Sequence, residues 1–139
     1  MTVESKQISV QIDRPVTDVY DYLADPANMA EWAQGLGSTV TEEAGNWYLA
    51  TPEGRIGVEF APRNDFGVLD HDVTLPSGEV FYNPMRAVAN EEGSEVLFTV
   101  RRLPGLSDAE FERDAGLVAA DLVRIKQVLE QGSVGGGEG

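Results

Sequence analysis

The stretch Leu106-Ser107-Asp108-Ala109-Glu110-Phe111, which runs on without a break to Leu129, decides the fold. Ser107 followed by Glu110 is a capping box: the hydroxyl accepts from the third amide while the carboxylate reaches back to the cap. Leu106 and Phe111 flank it at the positions of a hydrophobic staple. Phe111, Ala115, Val118, Ala119, Leu122, Ile125 and Leu129 then keep helical spacing on one face, and Gly132 supplies a stop. From Asp108 to Glu130 such a helix is about 34 Å long at 1.5 Å per residue. A helix of that length with one apolar stripe must lie across something flat and apolar. The rest of the chain offers only a sheet.

Working outward, Gln7 to Ile12 alternates, with Ile8, Val10 and Ile12 on one face of a half-buried strand. Pro15 then sits where a first helical turn tolerates it, Asp13 lies near a capping position, and Val16, Val19, Tyr20 and Leu23 form one apolar stripe. Asp25-Pro26 breaks that helix. A second short helix carries Met29 and Trp32 and ends at Gly35 and Gly37. From Ser38 to Arg102, turn signals at Gly45-Asn46, Pro52-Glu53-Gly54, 62–65, Pro76-Ser77-Gly78 and 90–93 separate six short runs rich in Val, Phe, Tyr, Trp and Thr. Such tight spacing makes an antiparallel meander, because parallel strands need long crossovers. The order reads as one α+β domain over residues 1–131, with 132–139 as a flexible Gly-rich tail.

The composition excludes several functions. With 24 acidic and 10 basic residues the formal net charge is −14, which speaks against a nucleic-acid partner. The absence of cysteine removes disulfides, thiol nucleophiles and thiolate-ligated metals. No apolar run approaches the ~20 residues of a membrane span, and Met1 to Lys6 has no secretory pattern, so a cytoplasmic protein without membrane insertion is expected. Neither a P-loop nor a dinucleotide glycine fingerprint is present, so no cofactor is expected. No Gly-x-Ser-x-Gly accompanies the lone histidine, so nucleophilic catalysis has no support.

At this point the chain resembles the START and polyketide-cyclase-like (SRPBCC) superfamily, the helix-grip fold to which the birch-pollen allergens belong. The carriers are the segment from Ile12 to Leu23, Asp25-Pro26-Ala27-Asn28 with Trp32, and the capped terminal helix; together they cover about residues 5–130. Tyr82-Asn83-Pro84-Met85-Arg86 with the strand from Gly93 to Arg101 also looks like bacterial members that lend no function. The resemblance implies a curved seven-stranded antiparallel sheet wrapped around the C-terminal helix, with two short helices after the first strand. It also implies a largely apolar cavity for a lipid, steroid or polyketide. A homodimer is expected on the same ground, through an uncovered sheet edge.

Alternation nominates the inner face: Val96, Phe98 and Val100 on the last strand, and Val58 with Phe60 on an earlier one. Either Trp47 with Leu49 or Tyr48 with Ala50 lines another, Trp47 being favoured. Phe81, Met85, Phe111 and Val118 complete a wall for an apolar ligand; the plain alternative is that these side chains only pack on one another. His71 is the only histidine and shares a face with Leu69, Val73 and Leu75, while Asp70 and Asp72 point the other way. The pleat therefore splits the Asp-His-Asp run, and no metal site is expected. His71 is a candidate polar anchor or general base, or else a hydrogen-bonded core residue; with a bulge, the Phe66/Val68 face would point inward instead. Tyr82, Asn83 and Arg86 are candidates at the pocket mouth, Arg86 as an anion binder or a surface charge, and Pro84 leaves its face open. Arg101-Arg102 reads as a solvated strand end. Binding of a small hydrophobic or aromatic ligand is thus the first reading. A polyketide cyclase or aromatase-like enzyme using His71, Tyr82 and Arg86 is the second, and a co-chaperone-like interaction module the third.

Overall fold

The computed structural model describes residues 1–33 and 39–137, with side chains to residue 131. Alternation in the first segment becomes strand β1 (Ser5–Ile12), and the Val16 stripe becomes helix α1 (Val16–Ala24), which buries Val19, Tyr20 and Leu23. Pro15 itself is the N-cap, with no side-chain cap, and the Asp13 amide turns instead to Glu130 Oε2 at 2.9 Å. After Asp25, a 3-10 turn (Pro26–Asn28) leads into the short α2 (Met29–Trp32), which buries Met29 and Trp32. The glycines Gly35 and Gly37, expected to end it, lie outside the described residues.

The meander follows as β2 (Thr39–Glu43), β3 (Asn46–Thr51), β4 (Gly54–Phe60), β5 (His71–Thr74), β6 (Val80–Asn83), β7 (Met85–Asn90) and β8 (Gly93–Arg101). Every pairing is antiparallel, in the orders β1-β8-β7 and β2-β3-β4-β5-β6. The strands therefore number eight, not seven. The cause is Pro84: without an amide hydrogen it cannot continue a ladder, so one sequence run becomes β6 and β7, each belonging to a different sheet. The Pro84 carbonyl still accepts from Thr99 N at 3.0 Å, which ties the two sheets at the bend.

The loop between β4 and β5 crosses the outer edge of β7. Ala87 N donates to Gly67 O at 2.9 Å and Leu69 N to Met85 O at 2.8 Å, so part of an otherwise open edge is covered. Gly67 makes this approach at φ +73°.

The terminal helix α3 (Asp108–Gly137) begins as its sequence dictates: Glu110 N donates to Ser107 Oγ at 3.1 Å, and Ser107 N to Glu110 Oε1 at 2.9 Å. Its backbone passes Gly132, where the sequence alone placed the stop. The apolar stripe lies against the sheet, with Phe111, Ala115, Leu122, Ile125 and Leu129 buried. Ser107→Ala removes the hydroxyl cap, and urea denaturation is expected to register a loss of about 1 kcal/mol. Arg102 is not a solvated strand end. Its guanidinium pairs with Glu4 (2.9 Å) and Asp108 (2.8 Å) and donates to Leu106 O, fastening β1, β8 and the start of α3 to one another.

Candidate functional site

Strand register assigns the inner face residue by residue, since side chains directly opposite across a ladder share a face. Trp47 lies opposite Val58, Val58 opposite Val73, and Val73 opposite Phe81. Val58 and Val73 are buried, so this row, Trp47 included, faces the core; Tyr48 lies on the outer face with Gly57. A second row joins Phe60, His71 and Asn83, and a third joins Met85, Phe98 and Ile8. Alternation runs through Pro84 undisturbed: Phe81, Met85 and Ala87 face in, while Tyr82, Arg86 and Val88 face out. From α3, Phe111 is buried and Val118 packs against the same core.

Among the described residues, the ladders also set Lys6, opposite Val100, and Glu42, opposite Trp47, on this face, but His71 is the titratable side chain of the sheet that is buried there. It is 4% exposed and sits between the rings of Phe60, at 4.8 Å, and Phe98, at 5.8 Å. Leu69 and Val73, on the same strand face, are buried with it, whereas Phe66 lies 82% exposed on the surface. The inward choice is thereby the Leu69/His71 face. His71 Nδ1 lies 3.0 Å from the Leu69 carbonyl oxygen. That oxygen can only accept, so Nδ1 carries the proton and Nε2 keeps its lone pair. Burial pushes the imidazole pKa down; the bond to Leu69 and the nearby Asp70 and Asp72 oppose the shift but do not outweigh it.

The sign of the pH dependence follows. Below 6.5, the ordinary value, an unfolded imidazole takes up a proton that the folded one refuses. The stability held by neutral His71 is thus complete above pH 6.5 and falls as the solution is acidified toward the lower folded value. Urea denaturation between about pH 6.5 and 5.5, above most carboxylate titration, is expected to slope by up to about 1.4 kcal/mol per unit. His71→Gln should flatten that slope; an equal slope in the variant would assign it to other groups.

Tyr82 and Arg86 do not join His71. Both lie on the outer face, where they converge on Asp70, which is 5% exposed. Asp70 accepts from the Tyr82 hydroxyl, from Met85 N at 2.8 Å and from Arg86 Nη2 at 3.0 Å. Donation to Asp70 also holds the Tyr82 phenol above its ordinary pKa. This carboxylate braces the Pro84 corner, satisfying the first amide after a residue that has none. Sequence reasoning placed Asp70 correctly on the face opposite His71 but missed its partners. It also missed Trp32 as a polar group: Trp32 Nε1 and Ser94 Oγ are buried without a hydrogen-bond partner among the described residues. Described residues form surface grooves, among them three of about 630, 450 and 610 Å³, the first lying between α1, the β4–β5 loop and β7. None of these three includes His71, Phe98, Phe111 or Val118.

A family model for polyketide cyclases, dehydrases and lipid transport matches residues 5–130. The chain belongs to that family. This places it in the superfamily that its opening, Trp32 and terminal-helix motifs resemble. Among solved structures it is similar to DynU16, from the dynemicin biosynthetic locus, at 17% identity and a TM-score of 0.68. That match covers 92% of this chain but 48% of DynU16, so the chain spans about half of that relative. Ara h 8.0201 is similar at 10% identity and a TM-score of 0.65, covering 93% of this chain and 99% of that one. Aha1 of Colwellia psychrerythraea, solved as a dimer, is similar at 12% identity and a TM-score of 0.71, covering 91% and 96%. Likeness at these identities carries the fold alone. No curated protein matches the sequence. Among the described residues, no helix is long and apolar enough to cross a membrane.

Proposed function

We propose that this protein binds a small hydrophobic or aromatic molecule between the inner sheet face and α3, acting as a carrier in the cytoplasm. The observation that supports the reading is His71: a neutral, buried imidazole with a spare lone pair, set between two aromatic rings on a largely apolar wall. Trp47, Phe60, Phe81, Met85, Phe98, Phe111 and Val118 supply apolar surface to the ligand. Membership in a family described by polyketide cyclases and lipid transport supports the same chemistry. Native mass spectrometry of the purified protein is expected to find a co-purifying compound, lost in Val118→Trp, which fills space beside α3. Absence of any bound compound, together with no thermal shift across a panel of aromatic and lipid probes, would overturn the reading.

Catalysis ranks below binding for a specific reason. Acid–base turnover of a polyketide needs a second proton-transfer group near the first, and Tyr82 and Arg86 are engaged by Asp70 on the other face. An interaction surface on the convex side is the other reading, supported by the exposed Phe66, Val80, Tyr82 and Val88. If it serves a homodimer, sedimentation velocity will show a concentration-dependent dimer that Phe66→Asp dissolves.

A further inference from the structure

We infer that the ligand of the inner face carries an uncharged hydroxyl that donates to His71 Nε2, so that the site selects alcohols, enols or phenols on an apolar body over carboxylates. The inference rests on the binding reading above and adds the chemistry of the polar end. Its basis is the direction of one hydrogen bond. Because Nδ1–H donates to the Leu69 carbonyl oxygen, the other ring nitrogen of the neutral imidazole can only accept. Among the described residues, Nε2 has no hydrogen bond of its own. A carboxylate brought there would set lone pair against lone pair between the rings of Phe60 and Phe98, and the lysine on this face, Lys6 opposite Val100, is already paired with Glu112. A hydroxyl meets an acceptor in an apolar setting, where a good hydrogen bond discriminates strongly against analogues that lack the donor.

A second polar group stands beside the first. Asn83 is directly opposite His71 in the β5–β6 register, so the two side chains share the face at a cross-strand spacing of about 5 Å. Its amide offers both donor and acceptor atoms, and no hydrogen bond from its side chain occurs among the described residues. A hydroxyl next to a carbonyl on the ligand would satisfy both residues together: the hydroxyl on His71, the carbonyl oxygen on the Asn83 amide. Arg86, the one residue in this stretch able to hold a carboxylate bidentately, faces outward and is committed to Asp70.

The single histidine makes the test direct, because protein labelled with 15N-histidine yields one pair of ring nitrogen signals. The full chain would be titrated with 2-naphthol, 2-methoxynaphthalene and 2-naphthoate, which share a body and differ in the polar end. The expected result is at least tenfold tighter binding of 2-naphthol than of the other two, with the Nε2 signal moving on its addition alone. His71→Phe should bind the naphthol and its methyl ether alike; the labelled wild type carries the test if that variant does not fold. Equal binding of naphthol and ether, or an unmoved Nε2 signal, overturns this inference and leaves the binding reading standing. Tighter binding of the naphthoate overturns it too. If none of the three binds, this inference is overturned, and the binding reading is decided by the co-purification and probe-panel measurements above.

Discussion

Asp70→Ala is expected to cost about 3 kcal/mol, because the substitution strands a backbone amide that nothing else can reach. Met85 is 1% exposed, and its N–H donates to Asp70 Oδ1 at 2.8 Å. With the carboxylate gone, that donor stays buried and unpaired, a penalty of roughly 1–3 kcal/mol before any loss of packing. The other two donors matter less. Tyr82 is exposed and the Arg86 side chain 44% exposed, so both can turn to water. Two controls separate these contributions. Asp70→Asn keeps an oxygen for the Met85 amide and should recover much of the loss, while Arg86→Met should change stability by less than about 1 kcal/mol. If alanine at 70 unfolds at the wild-type urea midpoint, the corner is not held by this carboxylate.

Gly67→Ala should be comparably severe, by roughly 2–4 kcal/mol, for a steric reason. A Cβ there would stand 2.0 Å from the Ala87 carbonyl oxygen, and the φ of +73° is one that alanine adopts only under strain. The obstacle is backbone of the neighbouring strand, so no side chain can swing aside. Relief requires the loop to lift from β7, with loss of the bond from Ala87 N to Gly67 O. Hydrogen exchange at the Ala87 and Leu69 amides would detect that lifting beside a fall in urea midpoint. Gly45→Ala is the matched control: its φ is +84° but nothing lies within 4 Å, so only the conformational cost of about 1 kcal/mol applies. Equal effects at the two positions would refute the steric argument.

Local rules made much of this legible. The capping box, the stripe on α3, the alternation of β1 and β8 and the inward choice of Trp47 all rest on neighbours a few residues apart, and the structure follows them. Pro84 marks the limit. Its missing amide hydrogen is visible in sequence, but its consequence, one run split between two sheets, depends on which strands flank it. Asp70 was harder still. That a carboxylate would be buried by a tyrosine, an arginine and an amide, all more than ten residues later, leaves no periodic trace. Tyr82 and Arg86 accordingly read as pocket residues, when their alternation with the inward Phe81 and Met85 turns them to the far face. For the inner wall itself, sequence could nominate residues but not the direction of the His71 hydrogen bond, since that depends on the fold of the backbone at Leu69.

The clamp at Arg102 bears on the order in which the molecule assembles. Strands β2 to β6 pair in sequence order, and β7 pairs with β8, so each of these ladders joins neighbours along the chain. The pairing of Ser5 with Arg101, and the grip of Arg102 on Glu4 and Asp108, instead joins the first strand to the last and to the start of α3. Contacts of such sequence separation carry the largest loop-closure cost and are expected after the folding barrier has been crossed. Weakening them, as in Arg102→Met, should therefore quicken unfolding while leaving the folding rate nearly unchanged, so that this junction governs how long the molecule lasts more than how fast it forms.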